Sequence, residues 1–278
     1  MPEGPRRADP AVVGRFCYDR AMNETNKIAL VTGSSQGIGA GIAKLLGDKG
    51  YTVVVTYRTS KAKADDVAEH IVSNGGKALA LRLDVTDEDS VKNVFKHVGS
   101  EFGRLDVLVN NAGTDGLSPI ETTTLEKWRS IIGPKIDGNF LCTKYALPLL
   151  QKVKKSDLIV ITASLGDRPD IEDVAYSVGA AGAVCFVKAM AIALAKYGVR
   201  TNGVNPGAIR TELGYWKEQG LTSDQTWSEF ARSNPLGRVA TPEDIAQTVL
   251  TIIENPTQFW NGNIVYVTGG DHIPLTGA

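Results

Sequence analysis

Short apolar runs rich in β-branched residues alternate with amphipathic stretches from residue 27 onward. The runs predict β-strands at 27–32, 52–57, 78–84, 106–110, 158–162, 200–205 and 263–267. Several are apolar at every position, as at 53–55, which is typical of strands buried on both faces of a parallel sheet. The amphipathic stretches predict helices at 38–49, 62–73, 87–101, 125–153 and 174–197. This alternation predicts an α/β fold: a Rossmann-like, doubly wound parallel sheet of about seven strands with helices on both faces.

The first 26 residues do not follow this pattern. They carry arginines, which would suit an organellar transit peptide, but acidic residues are interspersed among them. Their apolar stretch at 11–13 is too short for the hydrophobic region of a signal peptide. No linker or internal repeat follows them. We therefore expect a flexible N-terminal tail, 1–26, and one Rossmann-fold domain, 27–278.

Composition narrows the class of protein. The chain has 278 residues, enough for one sizeable core, and its 30 Lys and Arg balance 31 Asp and Glu. Because a uniform basic field is missing, nucleic acid is not an expected partner. The three cysteines form no C-x-x-C pair and the three histidines are scattered, so we expect no disulfide, no metal site and a cytoplasmic location. No uninterrupted apolar run reaches the roughly 18 residues that a membrane span needs, so none is expected.

A glycine-rich turn follows the first predicted strand and opens the first predicted helix. A plain tight turn would also use glycines, but this context is the one that dinucleotide binding requires. Glycines let the backbone approach a pyrophosphate, and the helix N-terminus offers free N–H groups and the positive end of its dipole. The predicted contacts are Gly33, Ser35, Gln36, Gly37, Ile38 and Gly39.

Three further motifs accompany the T-G-x-x-x-G-x-G spacing of this turn: Asp84-Val85, Asn110-Asn111-Ala112-Gly113 and Pro206-Gly207. Together they resemble the classical short-chain dehydrogenase/reductase family over about residues 27–270. The resemblance implies a nicotinamide nucleotide along the strand ends, an oxidoreductase acting on a small molecule, and a homodimer or homotetramer. It places Asp84 and Val85 near the adenine and the later motifs near the rest of the nucleotide, through Asn110, Ala112, Gly113, Pro206, Gly207, Ile209 and Thr211.

The end of the second predicted strand indicates which nucleotide is bound. An NAD site places an acidic residue there for the ribose 2′-hydroxyl, whereas a 2′-phosphate favours a guanidinium. This chain has Arg58 and Lys61 there and no acid before Asp65. We therefore predict NADP(H), the alternative being that both cations simply begin a solvated helix.

The catalytic motif departs from the family pattern. Ser164 and Tyr176 match the family's serine and tyrosine, but Ala180 stands where the family has lysine, and Lys135 stands where it has asparagine. Pro134 should also kink the long helix beside Lys135. Two interpretations remain: Lys135 supplies a relocated ammonium, or it is a solvated or structural lysine and the proton relay is missing. Ala180 could also be an introduced substitution.

Two segments near this motif are candidates for substrate binding. The loop between Ser164 and Tyr176 is acidic and includes Asp167 and Asp170, which would attract a cationic substrate unless the loop is merely solvated. The family uses 211–232 as a substrate lid, and here it contains the aromatic residues Tyr215, Trp216, Trp227 and Phe230.

We therefore predict an NADP(H)-dependent oxidoreductase that reduces a C=O group or, favoured by the altered motif, a C=N or iminium group. Hydride transfer to a cationic C=N carbon leaves a neutral amine and needs no proton donor. The alternatives are a non-redox enzyme on the same fold, such as an isomerase, dehydratase or cyclase, and a catalytically silent nucleotide-binding protein.

Overall fold

A seven-stranded, wholly parallel sheet forms the centre of the protein in the computed structural model, which describes residues 27–114, 116–211 and 220–272. The predicted tail, 1–26, and Trp216 lie outside the described residues. The strand order is β3-β2-β1-β4-β5-β6-β7. The strands are β1 (Ile28–Val31), β2 (Thr52–Tyr57), β3 (Lys77–Arg82), β4 (Val107–Asn110), β5 (Ser156–Ile161), β6 (Val199–Pro206) and β7 (Ile264–Val267). The predicted doubly wound sheet is confirmed.

Helices cover both faces of the sheet. The helices are α1 (Gly37–Asp48), α2 (Lys61–Ser73), α3 (Glu88–Phe102), α4 (Leu125–Gly133), α5 (Asn139–Leu150), α6 (Val174–Ala195), α7 (Asp224–Ser233) and α8 (Pro242–Ile253). Apolar residues of α1, α2 and α8 form one buried cluster with the sheet, and those of α3, α5 and α6 form another on the opposite face. Strand residues alternate between the two clusters, which explains why the runs are apolar at every position.

The predicted single helix over 125–153 is wrong at its centre. A π-helical turn, Pro134–Gly138, separates α4 from α5. Pro134 has no backbone N–H to donate and its ring crowds the preceding turn, so the regular α-helical bonding pattern cannot continue through it. At the position where a kink is expected beside Lys135, the structure has this wider turn.

By length and composition alone, helix α6 is long and apolar enough to cross a membrane. A search for uninterrupted apolar runs does not find this helix, because its single lysine, Lys188, interrupts the run. A helix packed inside a domain passes the same test, and here the buried side of α6 contacts β5 and β6.

The order in which the strands are added to the sheet reverses between β1 and β4. β1 pairs with β2 on one side and with β4 on the other, so the chain segments that leave these two strands diverge to opposite faces. A crevice forms at such a switch point, beyond the carboxyl ends of the strands. The turns after β1 and β4 and the loop after β5 all open there.

Candidate active site

One cleft of about 840 Å³ lies at this switch point. Most of the residues predicted from the sequence line it. They are Gly33, Ser35, Gln36, Gly37, Ile38, Gly39, Arg58, Asp84, Val85, Gly113, Lys135, Ser164, Asp170, Tyr176, Pro206, Gly207, Ile209 and Thr211. The fold therefore brings the nucleotide motifs and the catalytic motif to one cavity of the size that ligand sites usually have.

The glycine turn at the start of α1 fits a pyrophosphate. Gly33 and Gly37 have φ of 63° and 58°, which only glycine adopts without strain. A Cβ at Gly39 would lie 2.5 Å from the Asn111 side-chain nitrogen and 2.6 Å from the Gly33 oxygen. Helix α1 has no side-chain cap and no acidic residue in its first turn. Its N-terminus is thus free of competing carboxylates and suited to an anion.

The turn after β4 is fastened to this glycine turn. The Asn111 side chain donates to the Thr32 and Gly33 carbonyls at 2.9 and 3.2 Å, and the Asn111 and Ala112 amides donate to the Thr32 hydroxyl. Asn110 points away, donating to the Thr143 hydroxyl and to the Asn139 carbonyl. Asn110 and Ala112 therefore do not line the cleft as predicted. Both support the turn that does, and Asn111 borders the cleft in their place.

Arg58 lies at the cleft edge with Thr59 and Ser60. The structure does not bring Lys61 to this edge, because its ammonium lies 2.6 Å from the Asp65 carboxylate one helical turn away. This i, i+4 ion pair is the ordinary arrangement on a helix surface. Lys63 instead donates to the side chain of Gln36 at 2.7 Å. Of the two cations predicted to contact the 2′-phosphate, the structure thus places only Arg58 at the cleft.

The catalytic motif gathers from three elements. Ser164 begins a short 3₁₀ turn after β5, Tyr176 lies in the first turn of α6, and Lys135 belongs to the π-helical turn. The Lys135 ammonium lies 4.2 Å from the centre of the Tyr176 ring, and Lys135 is only 6% exposed. A solvated Lys135 is therefore wrong, whereas a catalytic and a structural role for it both remain predictions.

The acidic loop is only partly directed at the cleft. The Asp167 carboxylate accepts hydrogen bonds from the Asn205 side chain at 3.0 Å and the Tyr266 hydroxyl at 2.8 Å, and Asp167 does not line the cleft. The hydrogen bond that Tyr266 donates to Asp167 raises the pKa of Tyr266. Asp170 does line the cleft, and it accepts the Glu172 amide. The predicted substrate role is therefore open to Asp170 but not to Asp167.

Several lining residues were not singled out from the sequence: Arg168, Asp173, Asp271 and His272. Arg168 bonds to Asp271, and the His272 ring stacks on Tyr266 at 4.4 Å between centres. The residues after β7 thus reach the cleft by packing against the acidic loop. Phe230 of α7 also lines the cleft and contacts Trp227.

Comparison with known proteins agrees with this architecture. Residues 33–272 match the family model described as enoyl-(acyl carrier protein) reductase. A 3-oxoacyl-[acyl-carrier-protein] reductase from Synechocystis sp. is 36% identical over 88% of this chain and 97% of its own length. A cis-4-hydroxycyclohexanecarboxylate dehydrogenase from Sinomonas cyclohexanicum is 35% identical over 88% and 96%, respectively.

Solved structures show the same similarity. A short-chain type dehydrogenase/reductase from Mycobacterium marinum superposes with a TM-score of 0.82 at 30% identity, over 89% of this chain and 96% of that chain. Acetoin dehydrogenase YohF from Salmonella typhimurium gives a TM-score of 0.80 at 27% identity, over 91% and 98%. With these relatives and with a cleft at the switch point of its parallel sheet, the chain belongs to the short-chain dehydrogenase/reductase family of oxidoreductases.

Proposed function

We propose that this protein is a cytoplasmic, NADP(H)-dependent oxidoreductase that reduces the carbonyl group of a small organic substrate. The observation that carries the proposal is that one and the same cleft joins an uncapped helix N-terminus, Arg58 and the Ser164–Tyr176 pair. A silent nucleotide-binding protein would have no need for the two hydroxyl side chains beside the nucleotide motifs.

The residues at the two ends of the cleft have distinct tasks. Gly33, Gly37 and the first turn of α1 hold the pyrophosphate, and Arg58 binds the 2′-phosphate. Bound NADPH would supply a hydride to the carbonyl carbon. The Ser164 and Tyr176 hydroxyls bind the carbonyl oxygen, and Tyr176 gives its proton to the developing alkoxide, so that a ketone becomes an alcohol.

The named activities of two relatives support an oxygen-bearing reaction centre. One is named for a 3-oxoacyl group and another for a hydroxycyclohexanecarboxylate, which are the ketone and alcohol sides of the same chemistry. The second candidate is a cationic C=N substrate. The observation in its favour is that Asp170 and Asp173 line the cleft near Tyr176, where carboxylates would attract a cation.

A turnover screen decides between these functions. NADPH consumption is followed with a panel of ketones and a panel of cyclic imines, in the wild type and in Tyr176→Phe. We expect ketone reduction to fall by roughly 10²-fold or more in Tyr176→Phe, the usual scale for a positioned general acid. Tyr197→Phe, beyond the end of α6, is the matched control and should keep full activity.

The alternative outcomes are distinct. Imine reduction that survives Tyr176→Phe, with ketones inert, would support the cationic substrate. If the nucleotide binds but neither panel is reduced, the oxidoreductase proposal fails and a non-redox or silent protein replaces it.

We also propose that the chain forms a homodimer or homotetramer through α5 and α6. Phe140 of α5 and Val178 and Ile192 of α6 are 51%, 48% and 82% exposed. On α6 the exposed face also includes Ala181 and Cys185, so an apolar stripe runs along the helix. Such a stripe is suited to close helix packing between copies.

A further inference from the structure

Lys135 is only 6% exposed, and its side chain ends at the cleft. Among the described residues no carboxylate or hydrogen-bond acceptor contacts its ammonium, and the centre of the Tyr176 ring lies 4.2 Å from it. A charge that is largely removed from water and has no partner costs stability. We propose that Lys135 is a catalytic residue that reaches Tyr176 from the π-helical turn and takes the place of the lysine missing at Ala180. This inference rests on the proposed function.

Two glycines border the side chain of Lys135, and Gly179 is the one at which an added Cβ would crowd it. A Cβ at Gly179 would lie 3.1 Å from Lys135 Cδ and 3.5 Å from its Cβ, and a Cβ at Gly113 would lie 3.5 Å from Nζ. The lysine stem therefore crosses α6 at Gly179, directly before Ala180. Gly113 leaves the ammonium open to the cleft. The glycine at 179 and the lysine at 135 thus fit each other.

The backbone around Lys135 is held in place by buried amides. The Asn139 side chain donates to the Lys135 carbonyl at 2.6 Å, and the Asn139 carbonyl in turn accepts from Asn110. These bonds satisfy a carbonyl within the π-helical turn. They also link Lys135 to the end of β4, beside the cleft. Asn139 is therefore a positioning residue for Lys135.

An ammonium over the ring face favours the negative charge that Tyr176 acquires when it gives up its proton. The proton moves from the Tyr176 hydroxyl to the substrate alkoxide, and the phenolate left behind is stabilised by Lys135 without proton transfer from the lysine. The ammonium also keeps three N–H donors, and those that face Gly113 are free for the nucleotide. The Lys135 charge, which costs stability in the free protein, thus stabilises the phenolate during turnover.

The test replaces Lys135 with methionine, which keeps the length of the stem and removes the charge. Lys127→Met, on the exposed face of α4, is the matched control. We measure kcat and KM for a ketone found in the turnover screen, the NADPH dissociation constant, and the melting temperature of the nucleotide-free protein.

In Lys135→Met we expect kcat to fall by roughly 10²-fold, with a smaller change in NADPH affinity and a melting temperature no lower than that of the wild type. Lys127→Met should match the wild type throughout. Gly179→Ala, which crowds the lysine stem, should show an intermediate loss of kcat.

An unchanged kcat in Lys135→Met overturns the inference while the proposed function stands. A raised KM alone would make Lys135 an anchor for an anionic substrate, and a lowered melting temperature with kcat retained would make it structural; both also overturn it. If the wild type turns over no substrate, the proposed function fails and this inference fails with it.

Discussion

Replacing Arg58 with alanine should remove most of the preference for NADPH over NADH. Arg58 is exposed at the cleft edge, and its carbonyl accepts from the Arg82 side chain at 3.3 Å, which fixes the backbone there. Its guanidinium is the predicted partner of the 2′-phosphate. Because Lys61 is held by Asp65, the preference should depend on Arg58 alone rather than on two cations.

The size of the effect follows from this single contact. A charged hydrogen bond contributes roughly 1.5–3 kcal/mol, which corresponds to roughly 10- to 150-fold in affinity. Water screens an exposed arginine, so we expect the lower end, about tenfold, for the ratio of the NADH and NADPH dissociation constants. Isothermal titration of the wild type, Arg58→Ala and Lys61→Ala with both nucleotides measures it.

Arg58→Ala should bring the two dissociation constants close together by weakening NADPH binding, with NADH binding little changed. Lys61→Ala is the matched control and should keep the wild-type ratio. The reasoning is refuted if the wild type binds both nucleotides equally, or if Lys61→Ala loses as much discrimination as Arg58→Ala.

Three further outcomes are expected. Gly39→Ala should abolish NADPH binding in titration and lower the melting temperature, because its Cβ would meet the Gly33 carbonyl; binding within twofold of wild type would contradict this. Burial raises the pKa of Asp157 to about 6, so the stability that its protonated form contributes is full below about pH 4, the pKa of an unfolded aspartate, and is lost as the pH rises through about 6. Urea unfolding should give the wild type about 1 kcal/mol more stability at pH 5 than at pH 7.5 from this group, and Asp157→Asn should lack that difference. Light scattering should show a dimer or tetramer, and Ile192→Glu should shift it towards the 29.7 kDa monomer; a monomeric wild type would rule the interface out.

Features that depend on local sequence were predictable. The β-branched runs and the glycine turn act through neighbouring residues, and Pro134 removes a backbone hydrogen bond from its own helix. The ion pair between Lys61 and Asp65 was also predictable in principle, since Asp65 stands four residues later on the same helix.

Features that depend on distant partners were not predictable. The Asp167 carboxylate faces Tyr266, which lies 99 residues away, and no local pattern indicates that contact. Asp271 and His272 reach the cleft only because the segment after β7 packs on the loop after β5. The approach of Lys135 to Tyr176 was likewise not predictable, because it depends on how the π-helical turn packs across α6.

The π-helical turn makes the chemistry of this cleft sensitive to insertion and deletion. Each residue of a helix turns the chain by about 100°, so removing one residue between 134 and 138 would rotate all of α4 relative to α5. Inserting one residue would create such a turn in a relative that has a regular helix there. A single codon gained or lost could therefore decide which side chain faces Tyr176, and proteins compared position by position would record that event as a gap rather than as a substitution.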